Sequence, residues 1–356
     1  MPIRTCELRF DVGGPVSESA LRAPARQISS RAVLNGTAQA FYDWPTPKID
    51  PSLHDAYAGD GDTSRLKTRQ SYLARLFLNE RRTTNMTISL TQQVPGPNSG
   101  DVEIEVSLRG QGHPLLLLHG GGGPTAVNEM AELLAATRPA QTITPVHPGF
   151  AGTDRPETLS TVRDLANTYL SMLKVMDMSD VTVVGSSLGG WIAAEIAAQQ
   201  NDRVSGVILI DAVGLEVPGH PVTDLFSLAP NQVASYTFAD PQAHAPDPAS
   251  MPDEVRAAIP GNMAALKTYA GVAMTDRTLR MRLAGAVTPT LVIWGEEDRI
   301  TPVEIGYAYA DAIPGATLEL VPNAGHLPHI EAADQVLELV WSFASSHASP
   351  TKRPTA

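Results

Sequence analysis

From residue 87 onward the spacing of apolar positions switches repeatedly between two residues and about 3.6 residues. Residues 87–90 and 102–108 read as an antiparallel opening pair, the second alternating as a half-buried strand does. Short apolar runs near 115–118, 142–146, 181–184, 207–210, 290–294 and 317–321 follow as strands. Helical patterns near 126–137, 161–176, 190–200, 303–312 and 332–346 lie between them. Strand–helix alternation predicts an α/β fold: a mostly parallel, eight-stranded sheet with helices on both faces. Ligands then bind at the carboxyl ends of the strands. Between Asp211 and Ala286 the alternation stops, and prolines from Pro218 to Pro260 punctuate short helical pieces. A small helical cap at 212–285 is therefore expected, inserted into a core made of 86–211 and 286–346, with a disordered tail at 347–356.

Residues 1–85 look different. They show little periodicity, are rich in Pro, Gly, Asp, Ser and Arg, and carry 12 Lys/Arg against 9 Asp/Glu in a chain of net charge −12. Too few apolar residues are present to offset ordering entropy, so disorder is expected for most of the segment. A short basic helix is conceivable around residues 70–78, where 72, 73, 76 and 77 are apolar. Met86, where the periodic pattern begins, is an alternative start. The acidity of the rest argues against nucleic acid as a partner. No run approaches the ~20 apolar residues of a membrane span. Cys6 is the single cysteine, and no charged-then-apolar leader opens the chain, so a cytoplasmic protein is expected.

Candidate chemistry centres on Gly185-Ser186-Ser187-Leu188-Gly189. An apolar strand precedes it and an Ala-rich helix follows, so Ser187 sits at a strand-to-helix turn tight enough to demand glycine two positions to either side. A serine hydroxyl becomes a nucleophile when an imidazole takes its proton. His326, on the loop after the strand near 317–321, is placed for this, with His329 as competitor. The acid that orients the imidazole is expected from the loop after Gly295. Asp298 is favoured over Glu296 and Glu297, which are read as solvated, and Asp211 is the runner-up. An oxyanion needs preorganised N–H donors. Leu188 supplies one, and Gly121 or Gly122 in the run His119-Gly120-Gly121-Gly122-Gly123-Pro124 supplies another, with His119 bracing that loop. No Lys-Ser/Thr follows these glycines, which excludes a phosphate loop, and the spacing lacks the G-x-G-x-x-G helix entry, which argues against a dinucleotide site. His326-x-x-His329 with Glu331 is too sparse for zinc, so no metal and no cofactor is expected. Trp191 borders the site or is buried behind the elbow helix. Phe226 and Met263, with Leu225, Leu228, Leu266, Tyr269 and Met274, either line a substrate pocket or fasten the cap.

Four motifs occur in order: His119–Gly122, Pro148-Gly149-Phe150-Ala151-Gly152, Gly185–Gly190 and Gly325-His326. With them, residues from about 87 to 345 resemble the serine-nucleophile branch of the α/β-hydrolase superfamily, which shares the chain order Ser187, Asp298, His326. The resemblance implies the α/β-hydrolase fold and a small-molecule substrate, in a monomer or homodimer. Serine at the elbow separates the chain from the dehalogenases and epoxide hydrolases, which carry aspartate there. An esterase acting through an acyl-enzyme is the expected activity. The glycine-rich loop also resembles carbon–carbon hydrolases of the meta-cleavage type, from which Leu327 departs, since those enzymes carry tryptophan there. A catalytically inactive ligand receptor is the reading from another class.

Overall fold

The computed structural model describes residues 9–11, 87–96, 101–247 and 249–349. The expectations for the rest of 1–86 and for 350–356 lie outside these residues. Arg9–Asp11 (β1) pairs antiparallel with the start of Thr87–Pro95 (β2). The chain divides into two units between Leu90 and Thr91, and the elements from β3 onward belong to the second.

In β3 (Asp101–Gly110), Val102, Ile104, Val106 and Leu108 are buried while Asp101, Glu103 and Glu105 are exposed. That alternation marks a strand with one wet face. The remaining strands are β4 (His113–Leu118), β5 (Ala140–Pro145), β6 (Val181–Ser186), β7 (Val204–Ile210), β8 (Thr290–Gly295) and β9 (Thr317–Val321). Their order is β2-β3-β5-β4-β6-β7-β8-β9. Strand β3 pairs antiparallel with β5, and every pair from β5 to β9 is parallel. All six residues of β6 and of β8 are buried, as strands covered on both faces must be. These strands make up the predicted α/β sheet of eight.

On one face, α1 (Thr125–Thr137) and the C-terminal helix bury Met130, Leu134, Val336 and Val340 against Leu115, Leu117, Ile208 and Ile293. Full burial of each such side chain contributes about 1.5–3 kcal/mol. The other face carries α2 (Val162–Val175) and α3 (Leu188–Ala198), which pack on each other, while α3 also packs on β6 and β7. Helix α2 starts where Thr161 and Asp164 cap reciprocally, each side chain accepting the other's backbone N–H at 3.1 and 2.9 Å.

Between β7 and β8 lie α4 (Pro230–Thr237), α5 (Pro241–His244), α6 (Asp253–Ala270) and α7 (Leu279–Leu283). Pro230 and Pro241 open their helices, where the missing N–H costs nothing. Pro260 does not break α6, which runs for 18 residues. The proline is on the exposed side, where solvent can take the carbonyl it frees. The remaining helices are α8 (Val303–Ala312), α9 (Pro328–Glu331) and α10 (Ala333–His347). The ordered core extends past residue 346, because α10 ends at His347 and Ser349 donates its N–H to Asp180 at 2.9 Å. Among the described residues no helix is long and apolar enough to cross a membrane.

Candidate active site

Strand β6 ends at Ser186, α3 begins at Leu188, and Ser187 between them holds φ +54° and ψ −111°. The glycines are required by space: a Cβ on Gly185 would meet the Gly189 carbonyl oxygen at 2.0 Å, and one on Gly189 would meet that of Leu118 at the same distance. The turn lifts Ser187 from the sheet edge toward the loop after β9. There His326 Nε2 lies 2.9 Å from Ser187 Oγ, and His326 Nδ1 lies 2.7 Å from Asp298 Oδ2. Asp298 and His326 are buried, while Glu296 and Glu297 are exposed. Asp298 Oδ1 accepts the N–H groups of Ile300 and Thr301 at 2.7 and 3.0 Å, and the Thr301 hydroxyl donates to Oδ2. A carboxylate held this way faces the imidazole in one orientation and selects its Nδ1–H tautomer, leaving Nε2 to accept from serine.

The glycine loop stands against Ser187. A Cβ on Gly120 would lie 3.8 Å from Ser187 Oγ, and one on Gly121 would meet the Leu266 side chain at 2.6 Å. Gly123 N–H donates to the Gly120 carbonyl, closing a turn that contains Gly121 and Gly122. Leu188, the first residue of α3, has an N–H with no acceptor further back in the helix. Beneath the loop, His119 and His147 stack with ring centroids 3.6 Å apart. Their hydrogen bonds fix both tautomers. His147 N–H donates to His119 Nε2 at 3.0 Å, so His119 Nδ1–H donates to the Gly120 carbonyl at 2.7 Å. His147 Nε2–H donates to the His119 carbonyl at 2.9 Å, so its Nδ1 accepts from the Tyr169 hydroxyl at 2.5 Å. Both rings must be neutral for this chain to close, and burial favours that, lowering the His119 pKa to about 4 and His147 well below its ordinary value.

Helix α6 adds a clamp. Asn262 donates from Nδ2 to the Gly122 carbonyl at 3.0 Å and accepts Ala151 N–H on Oδ1 at 2.8 Å, tying the glycine loop to the Pro148–Gly152 turn. Of the expected pocket residues, Leu266, Tyr269 and Met274 are buried, and the Tyr269 hydroxyl donates to the Pro148 carbonyl at 3.0 Å. Leu225, Phe226, Leu228 and Met263 are half-buried, with Lys267 Nζ 5.8 Å from the Phe226 ring. Trp191 is buried against Gly214 in the loop after β7. His329, the competing histidine, is buried in α9 with no partner for either ring nitrogen among the described residues. Glu331 is a backbone brace, accepting N–H from Gly325 at 2.6 Å and from Ala239 at 2.9 Å. Sequence reasoning missed Thr301, His147, Asn262 and the task of Glu331. Thr301 was within reach, since Asp298-x-x-Thr301 is the spacing of a side chain capping its own loop. Asn262 left no signal.

The fold agrees with the comparison to known proteins. A model described as Alpha/beta hydrolase family matches residues 115–339. This chain belongs to that family. The α/β-hydrolase is 25% identical over 281 residues to 2-hydroxy-6-oxo-6-(2'-aminophenyl)hexa-2,4-dienoic acid hydrolase of Metapseudomonas resinovorans, across 72% of this chain and 92% of that protein. Its fold matches a thermophilic esterase from Thermogutta terrifontis with TM-score 0.58 and 22% identity, over 73% of this chain and 99% of the esterase. It matches equally a meta-cleavage product hydrolase from Pseudomonas fluorescens IP01, with TM-score 0.58 and 19% identity, over 72% and 97% of the two chains. This is an enzyme of the α/β-hydrolase type.

Proposed function

We propose that this α/β-hydrolase cleaves carboxylic esters of small to medium, mostly apolar substrates through an acyl-enzyme on Ser187. The observation that carries the reading is the unbroken series from Ser187 Oγ through His326 to Asp298, at 2.9 and 2.7 Å. As Oγ attacks the carbonyl carbon, His326 Nε2 takes its proton, and the buried Asp298 carboxylate stabilises the imidazolium. The oxyanion meets the N–H of Leu188 and one from Gly121 or Gly122, each donor contributing about 3–4 kcal/mol to the barrier reduction. His326 returns the proton to the leaving alkoxide, and water repeats the sequence to release the acid. The half-buried Phe226 and Met263 offer the apolar surface on which an acyl or alcohol chain rests.

A carbon–carbon hydrolase of the meta-cleavage type is the second reading, favoured by the name of the 25% identical relative. The same relay serves both chemistries, so substrate turnover divides them. A fluorophosphonate labels Ser187 in the wild type and not in Ser187→Ala. Turnover of a p-nitrophenyl ester chain-length series above that of a vinylogous diketone supports the ester reading. A higher kcat/KM on the diketone overturns it, and no labelling of well-folded wild type overturns both.

A further inference from the structure

Asp211 is a buried titratable group that the reaction above leaves unused. It follows β7 directly, is inaccessible to solvent and holds φ +44°, a strained value for a residue with a side chain. Its Oδ1 accepts Gly295 N–H at 2.9 Å, which joins the ends of β7 and β8. Its Oδ2 is buried and has no hydrogen-bond partner that could donate to it among the described residues. A carboxylate oxygen of Asp211, one of Asp298 and a ring nitrogen of His326 all lie within 4.8 Å of one another.

Two carboxylates this close and this dry do not both ionise; one of them carries a proton. The donors around each decide which. Asp298 accepts from Ile300 N–H, Thr301 N–H, the Thr301 hydroxyl and His326, so both of its oxygens are already supplied with donors. Asp211 accepts one N–H and faces Asp298, with Glu331 a further negative neighbour, and burial together with these charges pushes its pKa well up. The proton then belongs on the oxygen of Asp211 that has no donor of its own.

We propose that Asp211 is a neutral positioning residue that donates its carboxyl proton to Asp298, holds that carboxylate against His326, and takes over the negative charge when Asp298 is replaced by asparagine. The proposal rests on Ser187, His326 and Asp298 acting as a relay and not on the bond that the relay cleaves. In the wild type Asp211 forms no contact with the reacting atoms. In Asp298→Asn it is the carboxylate left within 4.8 Å of the imidazole nitrogen, ionises, and stabilises the imidazolium.

Rates of fluorophosphonate labelling test this in a double-mutant cycle. Asp211→Asn keeps an acceptor for Gly295 and a donor for Asp298, and slows labelling about 3–10-fold; Asp211→Leu keeps neither and slows it about 100-fold. Asp298→Asn slows it about 100-fold, well short of the ~10⁴ that amidating a lone relay acid costs. Adding Asp211→Asn to Asp298→Asn then costs about a further 100-fold. Equal factors for Asp211→Asn in both backgrounds overturn the proposal. A second readout needs no reactive serine. The carboxyl carbon resonance of Asp211 at pH 7 is that of a protonated acid in the wild type and of a carboxylate in Asp298→Asn; a carboxylate signal in the wild type also overturns it.

Discussion

His329 is the residue whose environment most plainly predicts a pH effect on stability. It is buried, both ring nitrogens lack partners among the described residues, and burial, with His326 as a second cause, lowers its pKa to about 4. A pKa below the unfolded value of about 6.5 means that the unfolded chain binds more protons between the two. Stability is therefore full above about pH 6.5 and is lost as pH falls toward 4, by about 2 kcal/mol from this residue between pH 7 and pH 5. His329→Leu removes two unsatisfied polar atoms and fills similar space, so it is neutral or stabilising at pH 7. In urea titrations its stability falls about 2 kcal/mol less than that of the wild type on going to pH 5, and parallel curves for the two proteins would count against this account. At the same scale, Gly295-x-x-Asp298 was enough in the sequence to pick the acid that meets His326. The relation of Asp211 to Asp298 was not legible, because strand-end spacing says which residues share an edge and not which oxygens face each other.

Elements are legible where a local period sets them and illegible where a distant pair does. Strands β6 and β8 declared themselves as apolar runs, and α2 as the helical pattern near 161–176. The contact of α3 with α7 did not, since it depends on Arg282 meeting Glu195, 87 residues away in sequence. Glu195 is 2% exposed, and the guanidinium that bonds both its oxygens also reaches Asp276 at 2.7 Å. Removing one member of such a pair strands a buried charge, at a cost of about 3–5 kcal/mol, whereas replacing both with apolar groups is near neutral. Arg282→Met is thus expected to lower the unfolding free energy by about 3–5 kcal/mol, and Glu195→Leu with Arg282→Met to recover most of that. If the double variant is as unstable as the single one, packing of the Arg282 stem and not the charge dominates. The continuity of α6 through Pro260 escaped sequence reasoning for a related reason: whether a proline breaks a helix depends on which side faces solvent.

The unit from Thr91 onward is organised around one edge of its sheet, and every group in the proposed mechanism lies between His119 and His326. The carboxyl ends of β4, β6, β8 and β9 deliver the glycine loop, Ser187, Asp298 and His326, in the place where parallel sheets bind ligands. This level was the most legible, because a parallel sheet read from alternating strands and helices already fixes which loops converge. The segment between β7 and β8 contributes Asn262 and Leu266 against the glycine loop, and it belongs to the same unit as the sheet. The unit that begins at Thr91 contains all of these groups. A chain starting at Met86 retains all of β2 and is expected to label with fluorophosphonate at the wild-type rate, within about 2-fold, since its relay and its N–H donors are unchanged. Its ester chain-length profile should also superimpose on that of the full chain. Two results would argue otherwise in different ways. Unchanged labelling with an altered profile would put residues before 86 at the substrate, and slower labelling of a folded chain would put them at the relay.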